Sequence, residues 1–337
     1  MQTTDIIPDD RIGVLVANLG TPDSPAPRDV RRYLKQFLWD PRVVEVPRPA
    51  WWLVLNLVIL NTRPRRSARA YAKIWTDDGS PLLVISEKQQ TALQASLEQQ
   101  YDGQVRSALA MCYGSPSVPA GLAELQAAGC RRILVLPLYP QYSATSTAAV
   151  FDAVYKEMRN WRAVPELRFV NDYFDDDAYI RALADSVRRY QSQHGVPDRL
   201  LMSFHGIPQE YADAGDPYPC QCEVTAMLLA KELGLGASQW QFSFQSRLGP
   251  KAWLKPYTDK TLAALPGEGV HNVQVVCPGF SVDCLETLEE VAMENRDVFI
   301  EAGGKHYSYI PCLNDEAAHI EMLAGLVGRH LQGWLDE

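Results

Sequence analysis

No apolar stretch in the 337-residue chain approaches the ~18 residues needed to cross a bilayer, so no membrane-spanning helix is expected. The opening stretch, Met1 to Asp10, is polar and acidic, which argues against a signal peptide. There is no Gly-x-Gly-x-x-Gly and no P-loop, and nucleotide binding is not expected. His-Glu-x-x-His, paired Cys-x-x-Cys motifs and clustered histidines are missing too, which removes the usual closed zinc sites. Positive charge is in short supply: 32 Lys and Arg face 41 Asp and Glu, a net charge of −9. With no dominant basic patch, nucleic acid is not an expected partner, whereas a cation is a compatible one. Seven cysteines, odd in number and widely scattered, read as reduced thiols of a cytosolic protein.

What is present is ample apolar material, 47% of residues, in a chain long enough for two domains. Strand-like apolar runs lie near 12–18, 105–111, 132–138, 166–170, 199–204, 240–244, 272–277 and 306–311. Amphipathic helical stretches separate them, at 81–100, 117–129, 145–161, 176–193, 220–233, 251–265, 283–302 and 315–333. Such βα alternation predicts parallel sheets with helices on both faces. Strand-end motifs also recur in order. Asn18-Leu19-Gly20-Thr21-Pro22 pairs with His205-Gly206-Ile207-Pro208, and Tyr113-Gly114-Ser115-Pro116 with Arg247-Leu248-Gly249-Pro250. Pro137-Leu138-Tyr139-Pro140 pairs with Cys277-Pro278-Gly279-Phe280, and Val170-Asn171-Asp172 with Leu313-Asn314-Asp315. The expected architecture is therefore α/β: two similar doubly wound, Rossmann-like domains, each with a four-stranded parallel sheet, and a cleft between them. Residues 11–165 form the first domain and 166–337 the second, whose last helix is free to pack back on the first.

The first half carries an insertion, 28–80, absent from its counterpart. Within it Trp51 to Leu60 is strongly apolar and is followed by Arg63, Arg65, Arg66 and Arg69. Two readings stand: a buried helix with a solvated basic flank, or an exposed apolar lip that touches a flat ligand and a membrane surface.

Two strand ends stand out chemically. The run 199–204 ends on His205, and Gly206-Ile207-Pro208 then forces a turn. In open α/β sheets ligands gather at the carboxyl ends of strands, although a lone strand-end histidine is more often structural. The run 273–277 ends at Pro278-Gly279, and a helix then opens through Asp283, Cys284 and Glu286. Glu286, Glu290 and Glu294 recur every fourth residue and so share a side of an α-helix, where like charges repel. A helix start with acids on a solvated face explains Glu289 alone better than it explains the row.

Together with Leu15–Pro22, Tyr139-Pro140-Gln141-Tyr142-Ser143, Ser203-Phe204-His205-Gly206, Gly215–Pro219, Gln245–Pro250 and Asp283–Leu288, these residues resemble the ferrochelatases over nearly the whole length. The resemblance implies the chelatase fold and the terminal step of haem synthesis, Fe²⁺ insertion into protoporphyrin IX. It places His205 and Glu286 as catalytic and metal-site residues, and Asp283, Glu290 and Glu294 as a proton or metal relay. Tyr113, Tyr142 and Trp253 become candidate porphyrin walls, with ordinary core packing as the alternative for each. Porphyrin and ferrous iron are the expected partners, iron being a substrate rather than a cofactor. No iron–sulfur cluster is expected, since no four-cysteine segment and no cysteine after Cys312 exist. Cys284 departs from the family pattern, in which many members carry histidine. The expected location is the cytoplasm, with peripheral contact at the inner face of the membrane. A coproporphyrin-using ferrochelatase is the nearest rival. A cobalt chelatase of the siroheme or cobalamin branch would not share the Ser-Phe-His-Gly and Asp-Cys-Leu-Glu-Thr-Leu contexts. A periplasmic binding protein, also built of duplicated α/β halves, is disfavoured by the reduced-type cysteines.

Overall fold

The computed structural model describes residues 11–247, 249 and 251–335. The amino-terminal ten residues, on which the signal-peptide reading rests, lie outside these, as do Leu248 and Pro250 of the Gln-Ser-Arg-Leu-Gly-Pro motif. All eight expected strands form: β1 (Arg11–Asn18), β2 (Val105–Met111), β3 (Cys130–Pro137), β4 (Glu166–Phe169), β5 (Arg199–His205), β6 (Trp240–Gln245), β7 (Asn272–Val276) and β8 (His306–Tyr309). They build two four-stranded sheets of order β2-β1-β3-β4 and β6-β5-β7-β8, parallel throughout. Central β1 and β5 are almost wholly buried, as near-continuous apolar runs under helices should be. The edge strands β4 and β8 are short and half-buried.

The helices α1 (Pro27–Trp39), α2 (Arg48–Leu53), α3 (Leu60–Ile74), α4 (Pro81–Tyr101), α5 (Val118–Ala127), α6 (Thr147–Met158) and α7 (Asp177–His194) follow in chain order. After β5 come α8 (Gln209–Asp213), α9 (Tyr218–Glu232), α10 (Thr258–Ala264), α11 (Arg296–Glu301) and α12 (Ala317–His330).

The chain forms two compact units. Of the described residues, the first holds those up to Leu138, Ala144–Asn171 and those from Asp315 onward; the second holds Tyr139–Ser143 and Asp172–Asn314. The carboxyl-terminal segment is fastened to the first sheet's edge. Arg168 on β4 donates to the His330 carbonyl at 2.7 Å and lies over the Trp334 ring at 4.1 Å, and the Trp334 indole donates to Glu166 at 2.8 Å. In the same unit α12 packs on α4, whereas α7 packs on α9 in the second. The second unit's core gathers Leu201, Leu262, Leu265, Val273, Val275 and Phe299.

Two helices depart from the sequence expectation. The stretch 251–265 is helical only from Thr258, because Pro256 bars the residue before it from helical geometry. The helix expected over 283–302 begins at Leu285 and runs through Glu286–Asn295 as a π-helix before α11. The insertion holds a second π-helical stretch, Val54–Ile59, between α2 and α3. Pro64 inside α3 cannot donate to the Leu60 carbonyl, and Arg31 supplies that carbonyl with a hydrogen bond instead. Here Trp52, Leu53, Val54, Leu57 and Val58 are exposed, Leu57 by 62%, while Leu55 and Leu60 are buried. The reading of this segment as a buried helix does not fit. It is an amphipathic helix whose apolar residues reach solvent.

Candidate active site

The second unit brings together four elements around the carboxyl end of β5. His205 ends β5, level with Gln245 at the end of β6. Its Nδ1 lies 2.6 Å from the Gly206 carbonyl oxygen, which only accepts, so Nδ1 carries the proton. That tautomer leaves the Nε2 lone pair for a proton or a metal, and among the described residues nothing bonds it. Gly206 is required by crowding: a Cβ there would meet the Gln245 carbonyl oxygen at 2.9 Å and the Trp253 ring at 3.2 Å. Its absence lets Trp253 lie against the strand end, where Leu254 donates to the Ile207 carbonyl at 3.0 Å. Phe280 adds a second ring, 6.4 Å from the His205 ring.

The π-helix supplies the carboxylates. Its wider turn is uncommon and concentrates at functional sites. Glu286 and Glu290 are half-buried, and Glu294 is exposed, so the row runs from interior to surface. Burial pushes the Glu290 carboxyl up from the ordinary glutamate value; hydrogen bonds from Ser246 and the proximity of His205 partly offset this. A carboxyl so raised is better suited to taking a proton near neutral pH. Glu290 is anchored by Ser246, whose backbone N–H donates at 2.7 Å and whose hydroxyl donates to the other oxygen.

Asp283 differs from this row. Its Oδ1 accepts from the Tyr309 hydroxyl at 2.6 Å and lies 3.1 Å from the Thr287 hydroxyl, and its Oδ2 accepts from Asn314 at 2.7 Å. The Asn314 side-chain oxygen, Oδ1, in turn accepts from the Asp283 N–H at 2.9 Å. Asp283 is buried with both oxygens occupied, and it fastens the start of the helix to the loop after β8. Cys284 is buried beside Glu286, and burial followed by that neighbouring charge pushes its thiol well up. A neutral, enclosed thiol is a poor ligand.

Of the candidate walls, Trp253 and Tyr142 belong to the second unit and Tyr113 to the first. Tyr142 is half-buried, its N–H held by Gln221 at 2.6 Å. Tyr113 is buried against Phe37 and its hydroxyl donates to Asp40 at 2.9 Å. Sequence reasoning missed a buried polar chain beneath the site. Ser203 donates to Gln245 Oε1 at 2.6 Å, the Thr258 hydroxyl lies 2.9 Å from Ser203 and 2.8 Å from Ser243, and Gln245 Nε2 donates to the Glu286 carbonyl at 3.0 Å. The signal was there, in Ser203, Ser243 and Gln245, polar residues at or near the carboxyl ends of otherwise apolar strand runs. Among the described residues no group of three or more His, Cys, Asp or Glu side chains is placed to cage a metal.

Likeness to known proteins fits this geometry. By three-dimensional shape the chain is similar to SirB from Bacillus subtilis with Fe³⁺, at a TM-score of 0.57 and 10% identity, covering 96% of this chain and 97% of that one. It is also similar to CbiX, the terminal enzyme for biosynthesis of siroheme in denitrifying bacteria, at 0.53 and 13%, covering 96% and 100%. At such identities these show the chelatase fold alone. By sequence it is 57% identical to a ferrochelatase of Thioalkalivibrio sulfidiphilus, over 96% of this chain and 88% of that protein. It is 51% identical to ferrochelatase 1 of Shewanella oneidensis, over 97% and 98%. The ferrochelatase family model matches residues 11–331. The chain belongs to the ferrochelatase family, metal-chelating enzymes of haem synthesis.

Proposed function

We propose that this protein inserts Fe²⁺ into protoporphyrin IX to give protohaem, with the chemistry at the His205 end of β5. The free macrocycle carries two pyrrole N–H protons, and both must leave as iron enters. The observation that carries the reading is the His205 tautomer: Nδ1–H is committed to the Gly206 carbonyl and Nε2 is left open. Nε2 takes a pyrrole proton or contacts the arriving metal. Glu286 works beside it, and Glu290, with its raised carboxyl, takes protons onward or steers the cation, with Glu294 at the solvent end. Asp283 serves as the anchor of this helix, since its oxygens are filled. Iron passes through, so few protein ligands and open coordination positions suit the task. Trp253 and Phe280 offer apolar faces beside the imidazole on which a flat ring can rest.

The exposed apolar helix of the first unit supports protoporphyrin over coproporphyrin and a peripheral hold on the cytoplasmic membrane face. Trp52, Leu53, Leu57 and Val58 gain about 25 cal/mol for each Å² of apolar surface they cover. Arg65, Arg66 and Arg69 follow at the surface, each worth roughly 1 kcal/mol near anionic headgroups. No helix among the described residues is long and apolar enough to cross a membrane. The test is anaerobic Fe²⁺ insertion into each porphyrin, read from the metalloporphyrin spectrum, with liposome sedimentation alongside. Higher kcat/KM for protoporphyrin and lipid association lost in Leu57→Ser/Val58→Ser are expected. Faster turnover of coproporphyrin with no lipid association would overturn the preference.

A further inference from the structure

The two residues that end β6 and leave it grip the π-helix at two points one turn apart. Gln245 is buried; its amide nitrogen donates to the Glu286 carbonyl at 3.0 Å while its oxygen accepts from Ser203 at 2.6 Å and from the Cys277 thiol at 3.7 Å. Ser246 gives both its N–H, at 2.7 Å, and its hydroxyl to the Glu290 carboxylate. Consecutive side chains of a strand point to opposite faces, so an ordinary strand end cannot send both residues to one helix. Ser246 escapes that alternation through a left-handed backbone, φ 67°, a conformation that costs a non-glycine residue energy and tends to persist where function requires it. The alternation is broken where two adjacent residues reach Glu286 and Glu290.

Resting on the proposed iron-insertion reading, we infer that Ser246 is a positioning residue for metal delivery: it fixes the Glu290 carboxylate while Gln245 holds the helix turn that presents Glu286. A carboxylate held by two donors keeps a single direction and spends no entropy when the cation arrives. Released from the hydroxyl, Glu290 samples several rotamers, and its contribution to drawing in Fe²⁺ falls. Porphyrin binding does not involve this contact.

The test is anaerobic steady-state iron insertion with Fe²⁺ and protoporphyrin varied separately, on wild type, Ser246→Ala, Glu290→Ala and the double variant. Ser246→Ala is expected to raise KM for Fe²⁺ about tenfold, near the weight of one hydrogen bond to a charged acceptor, and to leave KM for porphyrin unchanged. In the Glu290→Ala background the same change should do almost nothing, since the group it positions is gone. Ser246→Gly keeps the N–H and relieves the left-handed strain. It should show the same rise in KM in a protein at least as stable, which separates positioning from folding. Equal effects of Ser246→Ala with and without Glu290, or a loss confined to thermal stability, would overturn the inference. A wild type that metallates no porphyrin would instead overturn the reading beneath it.

Discussion

The two sheets have the same strand order, yet the proposed chemistry lies at the strand ends of only one. At the end of β1, Asn18 is buried with its polar atoms used inside the unit: its amide donates to Ser86 at 3.1 Å and its oxygen accepts from the Leu19 N–H at 2.8 Å. At the matching end of β5, His205 satisfies one ring nitrogen on the Gly206 carbonyl and leaves the other open. After β3 the first unit continues into α6, an α-helix with no acid in its first turn; after β7 the second continues into a π-helix that opens with Glu286 and Glu289. The comparison teaches that the repeated frame supplies strand ends and turns, and that departures from regular geometry in one copy, the π-helix and the left-handed Ser246, present the groups proposed to react. The first unit spends its own departure differently, on the inserted helices that expose apolar side chains.

The largest effect that sharpens this contrast belongs to Glu286. Glu286→Gln keeps the shape and removes the charge, and kcat for iron insertion should fall by about 10²-fold while the melting temperature stays close to wild type. A change of less than a few-fold would reduce Glu286 to a helix-start acid like any other. Asp283 is the structural counterpart. Asp283→Ala leaves Tyr309, Asn314 and Thr287 without their acceptor in the interior, so unfolding free energy in denaturant titrations should drop by about 2–4 kcal/mol. Full stability in that variant would contradict the anchor.

A smaller, pH-dependent effect belongs to Glu290. Its folded-state carboxyl is raised by burial, so the native protein holds that proton more readily than the unfolded chain does. The contribution is therefore full below the ordinary glutamate value of 4.5 and is lost as pH rises through the folded-state value. Glu290→Gln, which cannot ionise, should gain in melting temperature relative to wild type between pH 4 and pH 7. A difference that stays constant with pH would show that burial of this carboxylate costs the fold nothing.

Much of this architecture could be read from the chain because parallel buried strands are nearly continuous apolar runs with abrupt Gly and Pro stops. All eight strands formed where those runs lie, and His205 stands where its run ends. Less legible was what depends on hydrogen-bond register. The spacing of Glu286, Glu290 and Glu294 fits an α-helix and a π-helix alike: four residues are a little over one turn of the first and a little under one of the second. The periodicity therefore gave the shared side without the helix type. Gln245 and Ser246 stand in a motif of the resemblance, but their contacts with the π-helix were not legible, because nothing in a local pattern says that a serine adopts left-handed backbone or that a strand glutamine will meet a helix carbonyl far along the chain. The apolar run at 51–60 had the composition of a buried helix and of an exposed one, and tertiary placement alone decided between them.

The central claim, that the reactive strand end lies in the second unit and its counterpart in the first is structural, meets its most direct test in one anaerobic assay. Metalloporphyrin formation is followed for wild type, His205→Ala and Asn18→Ala, with porphyrin binding read by fluorescence in the same samples. His205→Ala should bind protoporphyrin and fail to metallate it, whereas Asn18→Ala should lose stability and keep turnover per folded molecule. Substantial metallation by His205→Ala, or loss of metallation by a folded Asn18→Ala, would contradict the account.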